Sequence, residues 1–551
     1  MKKILSLLVA SILLASCGTK NEESYFIPKD AVGVMYVNLK SLSEKSKALD
    51  MKNLNINTLI KDKAPKEIKD FVSEFMTSEN LNNTFRKEFI LGFGSIKRLS
   101  GFGGLALPIK DASAFETFIT PMLNKIPNLE KETNVGKDNN FTIYSTKELA
   151  IGWNNKTALI IGAKNYAAAE LIDLTNLDRQ ETILATNYFD NFFDTNQDIG
   201  LHITSSPLGD ALDGILSAFA GMNINLENNN LSYYSSFEDD NVHSATKLKL
   251  NNDIKSLVGY DKWMTTSYNK KLLNVLPSNP VMLTKLSVDT ETIYEHILSL
   301  KDNKSLPISI REELKKNTKR ANRELEKDLG MDTQDFSKIF TGTVILTANK
   351  NDSPENKSPN IYTAIAIKDK AKFDRFFNAL KEKKSRIKEI SKNYYQLDED
   401  ILMVVTDDLI FMTNDGNKAD EVKNSGKLAK NLSDFKHIDK LSHSLYFYSK
   451  GDFNSIVSKL YKTNQYNRSS RYTSFDNYDD FNSFSRGRKK NPIDNITDKS
   501  AELYEKYFEE NHFYMDINGA ESFITTKGDK NSLIQTILYG DEIAKLTSEK
   551  N

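Results

Sequence analysis

Apolar runs bounded by turn chemistry recur in the same order in two halves of the chain. Ile27-Pro28-Lys29-Asp30-Ala31-Val32 leads into the strand-like run Val34-Met35-Tyr36-Val37, and Leu276-Pro277-Ser278-Asn279-Pro280-Val281 leads into Met282-Leu283-Thr284-Lys285. Leu105 to Ile109 and Ile361 to Ile367 read as strands. Each is followed by an aspartate, Asp111 or Asp369, suited to cap a helix by accepting backbone N–H bonds. Phe115 and Phe118 in one half, and Phe373 and Phe376 in the other, then share a helical face that packs back on the sheet.

Strand pairs come next in both halves: Phe141–Tyr144 with Leu149–Ile161, and Tyr394–Leu397 with Ile401–Met412. Asn154-Asn155 and Asp407-Asp408 supply the turns. Gly200–Thr204 before a helix around Leu208–Phe219 matches Leu445–Tyr448 before Phe453–Leu460, and Ser244–Leu250 matches Ser522–Thr526. Pro65–Met76 and Ile310–Leu329 read as amphipathic helices. The second opens with Ser309 and Glu312 at capping-box spacing and stops at Gly330. The pattern predicts an α+β protein made of two copies of one unit, residues 25–252 and 253–545. Each copy is a largely antiparallel sheet with helices packed on one side. Two differences are expected between the copies. The second inserts a hairpin, Thr343–Ala348 with a loop through Pro359, where the first has Gly101–Gly104. It also carries a polar insertion at 463–491, which cannot bury enough apolar surface to order itself.

The amino terminus has a different pattern. Lys2 and Lys3 precede an apolar stretch, Ile4 to Ala15, broken only by Ser6 and Ser11. About twenty apolar residues are needed to span a bilayer, so this stretch reads as a signal sequence, residues 1–16. Leu14-Ala15-Ser16-Cys17 follows and resembles the lipobox of bacterial lipoproteins. That resemblance implies cleavage before Cys17, lipidation of its thiol, and a lipidated tether over 17–24. Cys17 is the only cysteine, so the chain has no disulfide framework and no cysteine-based zinc site. Lys20-Asn21-Glu22-Glu23 loosely resembles the surface-export signal of Bacteroidota lipoproteins and reads equally well as a solvated linker.

Composition narrows the function classes without selecting one. The 74 basic and 75 acidic residues leave a formal charge of −1, so no global field draws the chain to nucleic acid. There is no His-Glu-x-x-His, Gly-x-Ser-x-Gly or P-loop, and no cofactor is expected. Gly92-Phe93-Gly94 begins like a dinucleotide loop, but Lys97 stands at the third glycine position, and Gly92, like Gly330 after a leucine, reads as a helix C-cap. Asp194-x-Asn196-x-Asp198 echoes a calcium loop but lacks its glycine and glutamate positions, so a polar turn is the reading. Glu238-Asp239-Asp240 reads as a hairpin turn. The six histidines, His202, His243, His296, His437, His443 and His512, are scattered, and a metal site would need carboxylates converging from elsewhere. No catalytic and no metal-binding residue is assigned.

The insertion at 463–491 is the best interaction candidate. Tyr466, Tyr472, Phe475, Tyr478, Phe481 and Phe484 are interspersed with Arg468, Arg471, Arg486 and Arg488. Tyr and Arg often carry the binding energy of protein interfaces. The basic run from Arg486 to Lys490 suits lipid phosphates as well. With its lipobox, its Tyr25-to-Ala31 entry and its duplicated body, the chain resembles a family of Bacteroidota lipoproteins known only as a domain of unknown function. The resemblance implies an envelope location and supplies no catalytic residues. The expectation is a non-enzymatic lipoprotein anchored to the outer membrane, on the surface or the periplasmic face, docked on a β-barrel protein or complex. The alternative is a lipoprotein that binds glycan or peptide in a cleft between the copies, for which Trp153 or Trp263 would be a suitable lining.

Overall fold

A computed structural model describes residues 22–50, 54–55, 78–97, 100–186, 197–209, 224–351, 359–383, 387–398, 400–451, 453 and 492–548. Pro65–Met76, most of Leu208–Phe219 and of Phe453–Leu460, Cys17 and the whole insertion at 463–491 lie outside them. The chain forms two compact units, Met1–Ile254 with Asp529–Asn551, and Lys255–Gly528. The sequence reading carries the second repeat to 545, whereas the helix Ser532–Ser548 belongs to the first unit, where Leu533 joins the core of the amino-terminal sheet.

In the first unit the strands among the described residues are β1 (Ala31–Asn38), β2 (Phe89–Lys97), β3 (Ser100–Pro108), β4 (Glu130–Val135), β5 (Phe141–Ser145), β6 (Leu149–Trp153), β7 (Thr157–Ala163), β8 (Ile199–Thr204), β9 (Asn230–Phe237) and β10 (Asn241–Lys249). They pair antiparallel in the order β10-β9-β8-β1-β2-β3-β7-β6-β5-β4. The second unit contains β11 (Met282–Ser287), β12 (Phe340–Asn349), β13 (Asn360–Ile367), β14 (Lys388–Ser391), β15 (Tyr394–Asp398), β16 (Ile401–Val405), β17 (Leu409–Thr413), β18 (Leu445–Lys450), β19 (Phe508–Asp516) and β20 (Gly519–Thr526). Its order is β20-β19-β18-β11-β12-β13-β17-β16-β15-β14, again antiparallel throughout.

Local chemistry explains the shared features. Asp111 accepts from the Ala114 amide at 2.7 Å and Asp369 from the Lys372 amide at 3.0 Å, so both cap their helices. Phe115 and Phe373 lie on the buried faces of those helices. Asn154 Oδ1 accepts from the amides of Lys156 and Thr157, closing the β6–β7 turn. Glu238-Asp239-Asp240 does form the turn between β9 and β10.

Four local expectations are corrected. Helices cover both faces of each sheet, not one. Along β7, Ala158 and Ile160 pack in one core with Phe115 and Phe118, while Leu159 and Ile161 pack in another with Leu171 and Leu174. In the second unit, Val404 and Phe411 face Ala419 and Val422, while Met403 and Ile410 face Phe373 and Phe377. The unbroken apolar run over 158–161 is the signature of a strand buried on both sides. Gly92 is not a helix cap but a residue of β2, where an added Cβ would touch Met35 and Leu105 at 3.5 Å. Thr343–Ala348 does form one arm of a hairpin, β12 paired with β13, but it is not an insertion, because β2 and β3 pair in the same way in the first unit. The helix Ile308–Leu329 is not opened by a Ser309–Glu312 box. Pro307 precedes it and Glu312 pairs with Lys315, although Gly330 does end it at φ 65°.

Nor is the segment over 17–24 a free tether throughout. Glu22–Phe26 forms a 3-10 turn with Glu23 fully buried. Glu23 Oε1 pairs with the Arg86 guanidinium at 2.8 Å, Arg86 also meets Glu88 at 3.1 Å, and Glu23 Oε2 has no hydrogen-bond partner. Burial therefore raises the Glu23 carboxyl to about 7, with Arg86 opposing the rise. The folded value lies above the ordinary 4.5, so the folded chain holds the extra proton between those limits. The associated stability is present below about pH 4.5 and is lost as pH rises through about 7. In chemical denaturation, the wild type should lose up to about 3 kcal/mol more than Glu23→Gln between pH 4.5 and 8. Superimposable pH profiles would contradict this assignment.

Candidate functional site

The described residues bring titratable side chains together on one face of the β18–β19 pair in the second unit. The register sets Tyr446 opposite Tyr514, Tyr448 opposite His512 and Lys450 opposite Glu510. Alternation along β19 turns Glu510, His512, Tyr514 and Asp516 to the same side, and β18 adds Tyr446 and Tyr448. Diagonal neighbours then meet. The Tyr446 hydroxyl lies 2.9 Å from His512 Nδ1, and the Tyr448 hydroxyl donates to Glu510 Oε1 at 2.9 Å.

The chain before the short turn Ile438–Ser442 supplies the rest. Phe435 is buried against Tyr448, their ring centroids 5.1 Å apart, and this fixes the two residues that follow. Lys436 Nζ reaches Glu510 Oε1 at 2.7 Å, and His437 Nε2 lies 3.2 Å from Glu510 Oε2. The His437 and His512 rings meet edge to face at 4.4 Å. At the other end of the turn, His443 Nδ1 pairs with Asp516 Oδ2 at 2.6 Å and its ring stacks on Tyr514 at 4.1 Å. Buried Lys285 donates to the His443 carbonyl at 2.6 Å and lies over the Tyr268 ring.

Electrostatics sort these groups. Burial alone would raise Glu510, but hydrogen bonds from Lys436, Tyr448 and His437 outweigh it and hold the carboxyl down to about 2. Burial, reinforced by the neighbouring His437, pushes His512 down to about 4, so its imidazole is neutral at physiological pH. Tyr446 is raised by burial and stays a phenol. Beside this network opens a cavity of about 600 Å³, lined by Asp434, Lys436, Tyr448, Lys450, Glu505, Glu509, Glu510 and Lys527 among others. Charges of both signs at its wall suit a polar ligand more than an apolar one.

The other residues singled out in the sequence lie elsewhere. His202 is buried against Ser232 at 2.9 Å, and His296 faces the Leu257 carbonyl at 3.0 Å. His243 is on β10. Asp198 is fully buried and accepts from Lys45 and from the Phe237 amide, which makes it a structural anchor, not a calcium ligand. Trp153 is a core residue stacked on Tyr144, and Trp263 donates its indole N–H to the Val258 carbonyl. Cys17, Tyr466, Arg468, Arg471, Tyr472, Phe475, Tyr478, Phe481, Phe484, Arg486 and Arg488 lie outside the described residues. Sequence reasoning named His437 and His512 but did not join them to Glu510. The available signal was the period-two run Glu510-x-His512-x-Tyr514-x-Asp516.

No curated protein matches the chain. Among solved structures, crystal forms I and III of TP0453 are similar at 12% identity, with TM-scores of 0.23 and 0.25. Each covers 44% of this chain, and the matched parts are 85% and 86% of those chains. Such scores carry no inference. A family model described as a domain of unknown function matches residues 24–484. That match spans most of the chain, and the protein belongs to this family, DUF4836.

Proposed function

We propose that this protein is a non-enzymatic, lipid-anchored outer-membrane lipoprotein that serves as an accessory or scaffold subunit of an envelope complex, such as a β-barrel assembly, secretion or uptake machine. The observation that carries the reading is the position of Cys17. The one cysteine in 551 residues follows Leu14-Ala15-Ser16 at the end of an apolar signal run. Multiple acyl chains there would hold the protein firmly where one would not. Among the described residues, no helix is long and apolar enough to cross a membrane. The resemblance to Bacteroidota lipoproteins rests on that lipobox together with the Tyr25-to-Ala31 entry and the duplicated body. The Tyr- and Arg-rich segment 463–491 is the docking element of this reading. Deleting it should abolish co-purification of a barrel partner from native membranes, and undiminished recovery would remove it from the interface.

The body is read as a duplication. Support comes from the common strand order of β1–β10 and β11–β20 and from the matching caps Asp111 and Asp369. A second reading, ligand binding, is favoured by the polar cavity within Lys255–Gly528. Its mixed lysine and carboxylate wall suits a peptide or glycan.

A further inference from the structure

We infer that His437, Glu510 and His512 form a binding site for a divalent transition cation of the zinc class, with Tyr446, Tyr448 and Lys436 as its supporting shell. The inference does not depend on the docking role, because it concerns only side chains of the second unit.

Geometry comes first. One ligand atom from each of the three residues lies within 4.8 Å of the others. His437 Nε2 is 3.2 Å and His512 Nε2 3.6 Å from the same carboxylate oxygen, Glu510 Oε2. Zinc bonds of about 2.0–2.1 Å in tetrahedral array put neighbouring ligand atoms about 3.3 Å apart, so the trio needs only small adjustments to close on an ion. At 3.6 Å the His512 Nε2 contact is too long to be a hydrogen bond. A cation between these atoms would turn their convergence into bonds.

The supporting contacts have the form that metal ligands require. The Tyr446 hydroxyl occupies His512 Nδ1, which leaves Nε2 for the ion, and Tyr446 is itself fully buried. Tyr448 and Lys436 occupy Glu510 Oε1, which leaves Oε2 for the ion. Outer-shell partners of this kind fix ring orientation and carboxylate rotation. Two imidazoles and one carboxylate form a donor set of borderline hardness, suited to zinc and its neighbours more than to calcium or magnesium. Three protein ligands leave at least one position for water or a bound molecule, and Glu510 lines the 600 Å³ cavity from which it would come.

The test uses the purified full chain, stripped with chelator and titrated calorimetrically with Zn²⁺. One ion per chain should bind, and the zinc K-edge absorption fine structure should require two imidazole ligands. His437→Ala should weaken binding by more than about a hundredfold, beyond the 10–100-fold typical of an outer-shell loss, and Tyr446→Phe by about tenfold. The His437 side chain is 26% exposed, so its replacement should lower the melting temperature of the metal-free protein by no more than the loss of one partly exposed hydrogen bond. Should that variant fail to fold, the edge spectrum of the wild type decides. Absence of stoichiometric Zn²⁺ uptake, uptake indifferent to His437→Ala, or a bound zinc without imidazole ligands would each overturn the site.

Discussion

Cys17→Ala, expressed behind an ordinary cleavable signal so that no leader remains, should move the protein from the membrane pellet to the soluble fraction. Each buried methylene contributes about 0.8 kcal/mol to membrane attachment, so several acyl chains on Cys17 would dominate any other contact with lipid. The thiol is the only acceptor of its kind in the sequence, so no second cysteine can restore the anchor. Residual attachment through the basic run from Arg486 to Lys490 would be electrostatic, and salt would remove it. A variant that sediments with membranes after a high-salt wash would contradict the lipoprotein reading.

Trp153→Ala should destabilise the first unit by about 3–5 kcal/mol, whereas Trp263→Ala should cost about 1 kcal/mol or less. Trp153 is 2% exposed, packed edge to face on Phe115 at 5.3 Å and stacked on Tyr144 at 5.5 Å. Truncation leaves a void between the sheet and the helix Ala112–Leu123, and close-packed neighbours cannot fill it. A loss of that size is a large fraction of the 5–15 kcal/mol that holds a typical domain folded. Trp263 is partly exposed, and its indole N–H donates to the Val258 carbonyl at 3.1 Å. Urea denaturation followed by circular dichroism distinguishes the two. Equal costs would mean that Trp153 is not the core residue described.

Features set by short-range chemistry were legible before the fold was known. Asp111 and Asp369 cap helices because an aspartate before an amphipathic run satisfies free amides whatever surrounds it. Asn154 turned the chain for the same reason. Strand β2 was harder to read, because Gly92 and Gly94 lower its strand propensity, although an added Cβ at Gly92 would make only ordinary contact with Met35 and Leu105. The covering of both sheet faces was written in Ala158-Leu159-Ile160-Ile161, an unbroken run that a one-sided sheet would not need.

The candidate site was less legible, because its members are far apart in sequence. His437 reaches Glu510 across 73 residues, and only the β18–β19 register brings Tyr446 and Tyr448 beneath them. A histidine alone carries little information. Alternating with Glu510, Tyr514 and Asp516 along one strand face, His512 marks a polar surface where an apolar one would ordinarily pack. The proposed interaction segment at 463–491 is read from composition alone.

The most direct measurement of the central claim is a mild-detergent pull-down of the tagged protein from its native membranes, read by quantitative mass spectrometry. Near-stoichiometric recovery of an outer-membrane β-barrel protein, lost when residues 463–491 are deleted, is the predicted result. Recovery of the tagged protein alone would contradict the accessory-subunit reading and would turn attention to the polar cavity beside Glu510.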